Sequence, residues 1–569
     1  MIGHLSRAPF RPLLAVAGAV TALLLTVACG SQAAPAPGPS GAAPAADSGP
    51  VTPKVNRLVW ALKAPPLESS NIRTICCFDS FQYRPSHEDL VGMDPNTGQF
   101  IPELAAEWKL DLDAKKVVFK LREGVKFHGE KWGAMKPEDV IFTFRNIVDN
   151  AEANPASFTW ATSFWKRVVK SIETTGPMEL TFNIAPDVNF FLFMSPGAHQ
   201  LAIRSKAEVE ANGEPKTLES PTNVGTGSYE WAERKVSSYV RFKRVPYQHW
   251  KGMPDFPEFE MRFITEPSTR LAGLLAGEVH VTDLPSDLSP QAEKAGMMTI
   301  ANRVPAPRVW GQFRCCYVDP QTGKYPMFPD SPLHNIKVRE ALNRAVNRDE
   351  LGKAFAPKGR PMYLNHFDQT RQAWDTTWQQ KFAEKYGYNP ARAKQLIQEA
   401  GYGPGAPLKI SIIPAPLTYI ANGPDIAESI GNYWRAVGVE VTLQSLDSAT
   451  EAAMVRAYKF DNHFRMQSAS ATLVDGINIF SIPANPPGSG YWTPEAKSKL
   501  NELNGTMDPK KQDELLKSIG DFGFNEFWDV PLWYVPLEVA VNPKIVADYT
   551  FPGMVHGGWS HFETLKAAR

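Results

Sequence analysis

Five cysteines carry the most distinctive chemistry of this 569-residue chain. Four of them form two adjacent pairs, Cys76–Cys77 and Cys315–Cys316, and the fifth is Cys29. Neighbouring residues on a strand point to opposite faces, so two parallel bridges between two regular strands would be geometrically awkward. Three arrangements stay open: each pair bonded to itself, a bridge between the pairs, or free thiols. We predict the first, with Cys76 joined to Cys77 and Cys315 joined to Cys316.

Cys29 follows a segment that predicts export. Residues 1–28 carry one histidine and two arginines before an apolar run, 13–25, and end on small residues. Such a segment is typical of a secretory signal peptide. Its junction with the cysteine resembles a bacterial lipobox, in which the cysteine is lipidated and holds the mature protein on a membrane. The alternative is an ordinary signal peptide with an incidental cysteine. We predict a lipoprotein outside the cytoplasm, anchored to the cell membrane through Cys29.

The composition of the remaining chain bounds its organisation. Residues 29–53 are almost wholly Ala, Pro, Gly and Ser, which cannot bury enough apolar surface to fold, so they predict a disordered tether. No later segment has the roughly 18 uninterrupted apolar residues that a transmembrane helix needs. Residues 54–569 are too many for one core and predict two or three lobes.

Charge and motifs argue against two classes of function. With 60 basic and 60 acidic residues the net charge is zero, which argues against nucleic acid as a partner, because phosphate binding needs a basic excess on some face. The chain contains no nucleophile elbow, phosphate-cradling loop or zinc-protease helix. His463, His556 and His561 are a weak signal for a metal, because solvated or core histidines are commoner. We predict a binding protein that is not an enzyme and has no metal or cofactor; an exported hydrolase is the weaker alternative.

Local patterns predict mixed α and β structure. Alternation of apolar residues indicates strands near 55–62, 116–121 and 238–244. Helices are predicted over 137–149 and 337–354, the first opened by a proline. A third helix is predicted over 389–401, with asparagine as the cap and glycine as the stop.

Several segments, in order along the chain, then carry a resemblance. They are His87–Gly98, Ile101–Trp108, Phe119–His128, Lys136–Val140, Gly225–Tyr229, Leu274–Val279, Ile336–Glu350 and Pro390–Gly401. Together they resemble the signature of the family 5 extracellular solute-binding proteins, the peptide, nickel and oligosaccharide receptors of ATP-driven importers. Signatures shared by receptors of different ligands encode mainly the common frame. We therefore expect Gly225 and Gly227 to supply positive φ in a tight turn, and Arg339 and Arg348 to form ion pairs on a solvated helix face.

The resemblance implies an α/β fold of two lobes, like a periplasmic binding protein of type II, joined by two crossings. The first lobe would comprise residues 54–85, 205–305 and 530–569, with an extra subdomain at 86–204, and the second lobe residues 306–529. The implied partners are a small organic ligand, peptide-like or oligosaccharide-like, and the permease subunits of an ABC importer. The protein itself is expected to be a monomer. A sensing or chaperone-like lipoprotein of the same fold is the alternative function.

The resemblance also places residues in the cleft between the lobes. In many peptide-binding relatives an acidic residue of the second lobe receives the peptide amino terminus; here only Asp475 is retained from that stretch, and Arg465 and Gln467 stand on the incoming strand. Arg465 could hold a carboxylate or phosphate, or form a structural salt bridge to Asp461 or Asp475. The candidate ligand-binding residues are Cys76, Cys77, Phe78, Trp310, Gln312, Arg314, Cys315, Cys316, Tyr419, Arg465, Gln467 and Trp533.

Overall fold

The computed structural model describes residues 52–569 except 66–67, 73–76, 112–113, 150–164, 167, 186–200, 222, 286, 305–306, 315–329, 372, 416, 418–419, 421, 447–449, 452–453, 455–461, 470–472, 478–492, 507 and 554–558. The strands are β1 (Arg57–Leu62), β2 (Val91–Met93), β3 (Phe100–Pro102), β4 (Ala105–Asp111), β5 (Lys116–Leu121), β6 (Val169–Gly176), β7 (Glu179–Ile184), β8 (Tyr229–Lys235), β9 (Tyr239–Arg244), β10 (Glu258–Phe263), β11 (Val281–Thr282), β12 (Met298–Ala301), β13 (Arg308–Arg314), β14 (Arg360–Pro361), β15 (Lys409–Ile413), β16 (Glu440–Leu443), β17 (His463–Ala469), β18 (Asp529–Tyr534), β19 (Glu538–Val541), β20 (Val546–Asp548) and β21 (Lys566–Ala567). The helices are α1 (Pro137–Asp149), α2 (Lys206–Asn212), α3 (Pro267–Ala276), α4 (Ser289–Lys294), α5 (Ile336–Arg344), α6 (Arg348–Phe355), α7 (Thr376–Tyr386), α8 (Pro390–Glu399), α9 (Gly423–Ala436), α10 (Leu473–Gly476), α11 (Pro494–Gly505) and α12 (Pro509–Glu526).

The predicted elements are present, with one difference. The predicted strands and the helix over 137–149 form at their expected places, and the Asn389 side chain accepts a hydrogen bond from the Arg392 amide as the cap of α8. The single helix expected over 337–354 is instead two helices, α5 and α6. Asn347 begins the second one by accepting a hydrogen bond from the Glu350 amide, because asparagine favours a cap over a helix interior.

A seven-stranded sheet runs in the order β12-β19-β11-β1-β10-β9-β8. Its central strand, β1, is parallel to both of its neighbours, β10 and β11. The core on this sheet is aromatic: the indole of Trp60 makes edge contacts with the rings of Tyr549, Trp559 and Phe562. The C-terminal residues therefore complete the core of a sheet that begins near residue 57.

A four-stranded sheet, β4-β5-β7-β6, is antiparallel throughout. Its buried face includes Phe119 and Phe182, whose rings meet edge to face, and Phe144 of α1 packs on Phe182. All of its strands fall inside the segment predicted as the extra subdomain. Below, this sheet with α1 is called the four-stranded unit.

A six-stranded sheet, β14-β18-β13-β17-β15-β16, carries the largest described core. Strand β13 runs antiparallel to β17, and β15 runs parallel to β17. The start of β13 and the ends of β15 and β17 therefore lie at the same edge of the sheet. Strand β13 starts directly after the first crossing, so this is also the edge at which the chain enters from the seven-stranded sheet.

Two neighbouring segments cross between the seven-stranded and six-stranded sheets. The Asn302 amide donates to the Leu537 carbonyl over 2.9 Å, and the Leu537 amide donates to the Asn302 side-chain oxygen over 2.7 Å. On the other side, the Val535 amide donates to the Pro307 carbonyl over 2.8 Å. Because β18 pairs with β13 as far as Tyr534, the predicted boundary at residue 530 is too early, and the return crossing lies after Tyr534.

Gly225 and Gly227 serve a different purpose from the one predicted. Neither has a positive φ; instead, each lies against the backbone of residues 85–87. A Cβ on Gly225 would lie 2.2 Å from the Ser86 carbonyl oxygen, and one on Gly227 would lie 2.5 Å from the Pro85 carbonyl oxygen. These glycines are required for close approach of two segments rather than for a left-handed turn.

The two signature arginines are also structural, but they are not on a solvated face. Arg339 is 1% exposed and forms an ion pair with Glu526 over 3.0 Å. Arg348 donates to the Pro531 carbonyl and to the Asn343 side-chain oxygen over 2.8 and 2.6 Å. Arg339 therefore holds α5 to the end of α12, and Arg348 holds α6 to β18, which local charge spacing cannot reveal.

Candidate ligand-binding site

Strand β13 presents two chemically different faces. Val309 and Phe313 belong to the core of the six-stranded sheet, and Gly311 lies between them against the ring of Phe464. Side chains alternate along a strand, so the remaining residues face the other way. These are Arg308, Trp310, Gln312 and Arg314, and all are buried. The candidates predicted on this strand therefore share one face, which we call the polar face.

Strand β17 adds two more predicted residues to the polar face. Gln467 is directly opposite Trp310, and Arg465 is directly opposite Gln312. The Gln467 amide nitrogen donates a 3.0 Å hydrogen bond to the side-chain oxygen of Gln312. Five residues singled out from the sequence are thus brought together by strand pairing, 150 or more residues apart along the chain.

Arg314 and Arg465 are joined by a carboxylate that the sequence did not indicate. Glu451 accepts from Arg314 over 2.9 Å and from Arg465 over 3.1 Å. Burial and the neighbouring Arg465 charge lower the pKa of Arg314 to about 9. The structural alternative for Arg465, a salt bridge, is the one observed, although its partner is Glu451. Asp461 lies outside the described residues, and Asp475 is described only as a backbone position in α10.

Two further polar residues, His366 and Asp529, meet the polar face. The ring centroid of His366 lies 5.8 Å from that of Trp310, and the Arg308 guanidinium lies 5.6 Å from the Trp310 ring. Asp529 of β18 is opposite Gln312 and is 3% exposed. Burial raises the pKa of this carboxyl to about 7, against the opposing effects of an Asn365 hydrogen bond and the charges of Arg348 and Arg308.

Sequence reasoning missed these residues for identifiable reasons. Arg308 continues the same alternation as Trp310 and Gln312, so that signal was present in the sequence. His366 lies in a loop and Asp529 on a neighbouring strand, and no local pattern connects either of them with β13. Gly476 is tightly packed against these residues, since an added Cβ would lie 2.3 Å from His366 Nδ1 and 2.5 Å from Arg308 Nη2.

Trp533 does not lie on the polar face with the other candidates. In the pairing of β18 with β13, Trp533 is opposite Val309. A register shift between Val309 and Trp310 sets which residues of β18 lie on each face of the sheet. Trp533 consequently lies in the core of the six-stranded sheet, 3% exposed. A Cβ on Gly352 would lie 3.0 Å from its indole nitrogen, so the ring is enclosed by α6.

The structure leaves the cysteine candidates untested. Cys29, Cys76, Cys315, Cys316 and Tyr419 lie outside the described residues, and Cys77 and Phe78 are described only as backbone positions in a 3-10 helix, Cys77–Gln82. Arg314 ends β13 at the edge opposite the crossings, about 20 Å along the strand from Arg308. The disulfide pairing stays a prediction.

The histidines considered as metal ligands have other partners where they are described. His463 Nε2 lies 2.9 Å from Gln444 Oε1, and His561 Nε2 lies 2.9 Å from the Met93 carbonyl oxygen. His556 lies outside the described residues. In the described part of the chain, no three His, Cys, Asp or Glu side chains converge as a metal site would require. Nor does any helix in that part have the length and apolar character to span a membrane.

Comparison with known proteins decides the family. The family model described as bacterial extracellular solute-binding proteins, family 5 Middle, matches residues 99–480. The chain belongs to this family. The predictions of the family, of the two-lobed α/β fold and of an extracytoplasmic solute-binding function for ABC import are thereby confirmed at the family level. Below, the seven-stranded sheet with the four-stranded unit is called the first lobe, and the six-stranded sheet with its helices is called the second lobe.

Relatives of this solute-binding protein include peptide-binding and other receptors. It is 26% identical over 460 residues to the dipeptide-binding protein of Escherichia coli K12, covering 76% of this chain and 80% of the relative. It is 27% identical over 367 residues to heme-binding protein A of Haemophilus influenzae, covering 62% of this chain and 63% of the relative. Similarity therefore extends to receptors named for different ligands.

Solved structures share the fold of this solute-binding protein. HbpA2 from Haemophilus parasuis has a TM-score of 0.73 at 21% identity, covering 90% of this chain and 100% of that one. The periplasmic binding protein DppA from Helicobacter pylori, in complex with a peptide, has a TM-score of 0.68 at 21% identity, covering 90% of this chain and 98% of that one. At these identities the likeness establishes the fold alone.

Proposed function

We propose that this solute-binding protein captures a peptide-like solute between its two lobes and presents it, unchanged, to the permease of an ABC importer. The observation that carries the proposal is the amide pair of Gln312 and Gln467 beside the indole of Trp310 on the polar face. Primary amides donate and accept hydrogen bonds with the geometry that peptide groups require, and an indole offers a flat apolar surface.

The edge of the sheet supports the same location. Arg308, Trp310 and Gln467 lie toward the edge at which β15 and β17 end and the crossings enter. Ligands of open α/β sheets bind outside the carboxyl ends of parallel strands. Arg314, by contrast, ends its strand at the opposite edge. We therefore assign ligand contact to Trp310, Gln312 and Gln467, and we assign to Arg308 the role of a positive charge beside the ligand. Arg314 and Arg465 are assigned to structural pairing with Glu451.

Access to these residues requires motion. Trp310 is 1% and Gln467 is 8% exposed. A solute that touches both lobes only when they are closed shifts the population toward the closed form, because it binds that form more tightly. The closed, loaded form is then the one that the permease would engage.

Calorimetric titration with a panel of di- and tripeptides tests the function. We expect at least one peptide to bind with a rise in Tm, and Trp310→Ala and Gln467→Leu to weaken that binding about tenfold or more, since each removes a buried contact worth roughly 1–3 kcal/mol. Gln444→Leu is the matched control, because its amide pairs with His463 near the far edge of the same sheet. Peptide recovered intact after incubation would support binding without turnover.

Two outcomes would contradict this proposal. Binding of an oligosaccharide by a protein that ignores every peptide would replace the solute class while leaving the site in place. Wild-type affinity in both Trp310→Ala and Gln467→Leu would remove the polar face as the site.

Anchoring completes the proposed function. We propose that Cys29 is lipidated and holds a monomer at the cell membrane, with residues 30–53 as a tether. Cys29→Ala should move nearly all of the protein from the membrane to the soluble fraction, because only the acyl chains hold it there. Its Tm should match that of wild type, since the tether separates the anchor from the lobes. Membrane retention of the Cys29→Ala protein after a salt wash would refute the anchor.

A further inference from the structure

One contact between the four-stranded unit and the second lobe has no counterpart in the ligand site. Lys115, in the turn between β4 and β5, donates from its ammonium to the carbonyl oxygen of Gly505 over 3.2 Å, across 390 residues of sequence. Gly505 is the last residue of α11. The turn is shaped for this reach, since Lys115 has a positive φ of 52°.

The chemistry of this contact favours a cation. The last four carbonyls of a helix lack intrahelical partners, and the aligned peptide dipoles place partial negative charge there. The described residues place no carboxylate within ion-pair distance of Lys115, so its ammonium is matched to the helix end rather than to an acidic neighbour. Water would satisfy both groups if they separated, so neither lobe needs the contact in order to fold.

A second lysine also joins the lobes, but next to the crossings. Lys358 donates to Glu293 of α4 and to Glu538 of β19, each over 3.1 Å. Glu538 follows the return crossing, and Lys358 lies two residues before β14, which pairs with β18. A contact beside the crossings changes little when the lobes rotate, because the rotation displaces nearby atoms least. A contact between the four-stranded unit and the second lobe is lost.

We propose that the four-stranded unit is a closure clasp, in which Lys115 caps α11 of the second lobe only when the lobes are closed. The clasp biases the ligand-free protein toward the closed form, and so sets how much of the ligand's binding free energy is needed for closure. The proposal rests on the two-lobed fold and does not depend on which solute is bound.

Single-molecule energy transfer on the ligand-free, full-length chain tests the clasp. Dyes are attached through unnatural amino acids at exposed Glu173 of β6 and exposed Lys511 of α12, which avoids the cysteines. Lys115→Gln should raise the ratio of open to closed molecules about two- to fivefold, as expected for a charge at a helix terminus. Sodium chloride at 1 M should shrink the difference from wild type.

Two further variants make the result decisive. Lys116→Gln removes the same charge one residue away, from an exposed side chain of β5, and should leave the ratio at the wild-type value. Lys115→Arg keeps the cation and should preserve the closed population. Identical distributions for Lys115→Gln and Lys116→Gln would overturn the clasp, as would a shift in Lys115→Gln that persists unchanged at 1 M salt. Because no ligand is present, neither result depends on the peptide proposal.

Discussion

Gly311→Ala is expected to destabilise the second lobe by about 3 kcal/mol or more, at the upper end of what overpacking costs. A Cβ at this position would lie 1.7 Å from Cζ and 2.3 Å from Cε2 of the Phe464 ring. No rotamer of alanine relieves this overlap, so either the ring or the strand must move.

The ring has little room to move. Phe464 is fully buried, with its centroid 4.7 Å from that of Trp434 and 5.6 Å from that of Phe313. Moving the strand would disturb the pairing that aligns Gln312 with Gln467. We therefore expect weaker ligand binding together with the loss of stability.

Urea unfolding, followed by tryptophan fluorescence, measures the change. Gly403→Ala is the control, because nothing lies within 4 Å of the added Cβ and the backbone there has no positive φ. It should stay within about 0.5 kcal/mol of wild type. Equal unfolding midpoints for the two variants would show that Gly311 is not held against Phe464.

Arg339→Gln should cost about 3 kcal/mol, the lower end of the range for removing one partner of a buried ion pair, because Arg339 is buried whereas the Glu526 side chain is 31% exposed. Arg339 donates to the backbone carbonyl of Glu526 over 2.8 Å and to its carboxylate over 3.0 Å. It also donates to the carbonyls of Leu333 and His334, over 2.7 and 3.0 Å. A glutamine is too short to replace this set, so buried acceptors lose their donors.

The same helix supplies the comparison. Arg344 is 15% exposed and pairs with Glu340 over 2.7 Å within the same helix, at an i to i+4 spacing. Arg344→Gln should cost less than about 1 kcal/mol, because i to i+4 pairs contribute only a few tenths of a kcal/mol. If both variants lowered the free energy of unfolding equally, the bonds from Arg339 to Glu526 would not be what holds α5 to α12.

Some features of this protein depend only on residues that are close in the sequence, and others depend on distant segments. Helix caps such as Asn389, strand alternation over 308–314 and the family segments depend on residues within a few positions of each other. The sequence named Trp310, Gln312 and Arg314, at every second position, as candidates, and the observed strand puts them on one face.

Other features depend on which distant segment packs against a given residue. Glu451 joins Arg314 to Arg465, Asp529 comes to lie opposite Gln312, and a register shift turns Trp533 into the core. The sequence names the residue types at these positions, but nothing in the spacing of β13 specifies the register of β18.

The sequence by itself therefore determined the local elements and the family, and it named candidate residues on β13 and β17 without indicating that these strands pair. Only the tertiary structure decided that Arg339 is buried, that Gly225 and Gly227 serve close approach, and that Lys115 reaches Gly505. The physical reason is range. Backbone propensity and side-chain alternation act over a few residues, whereas burial and ion pairing are set by segments more than a hundred residues away, once the sheets have formed.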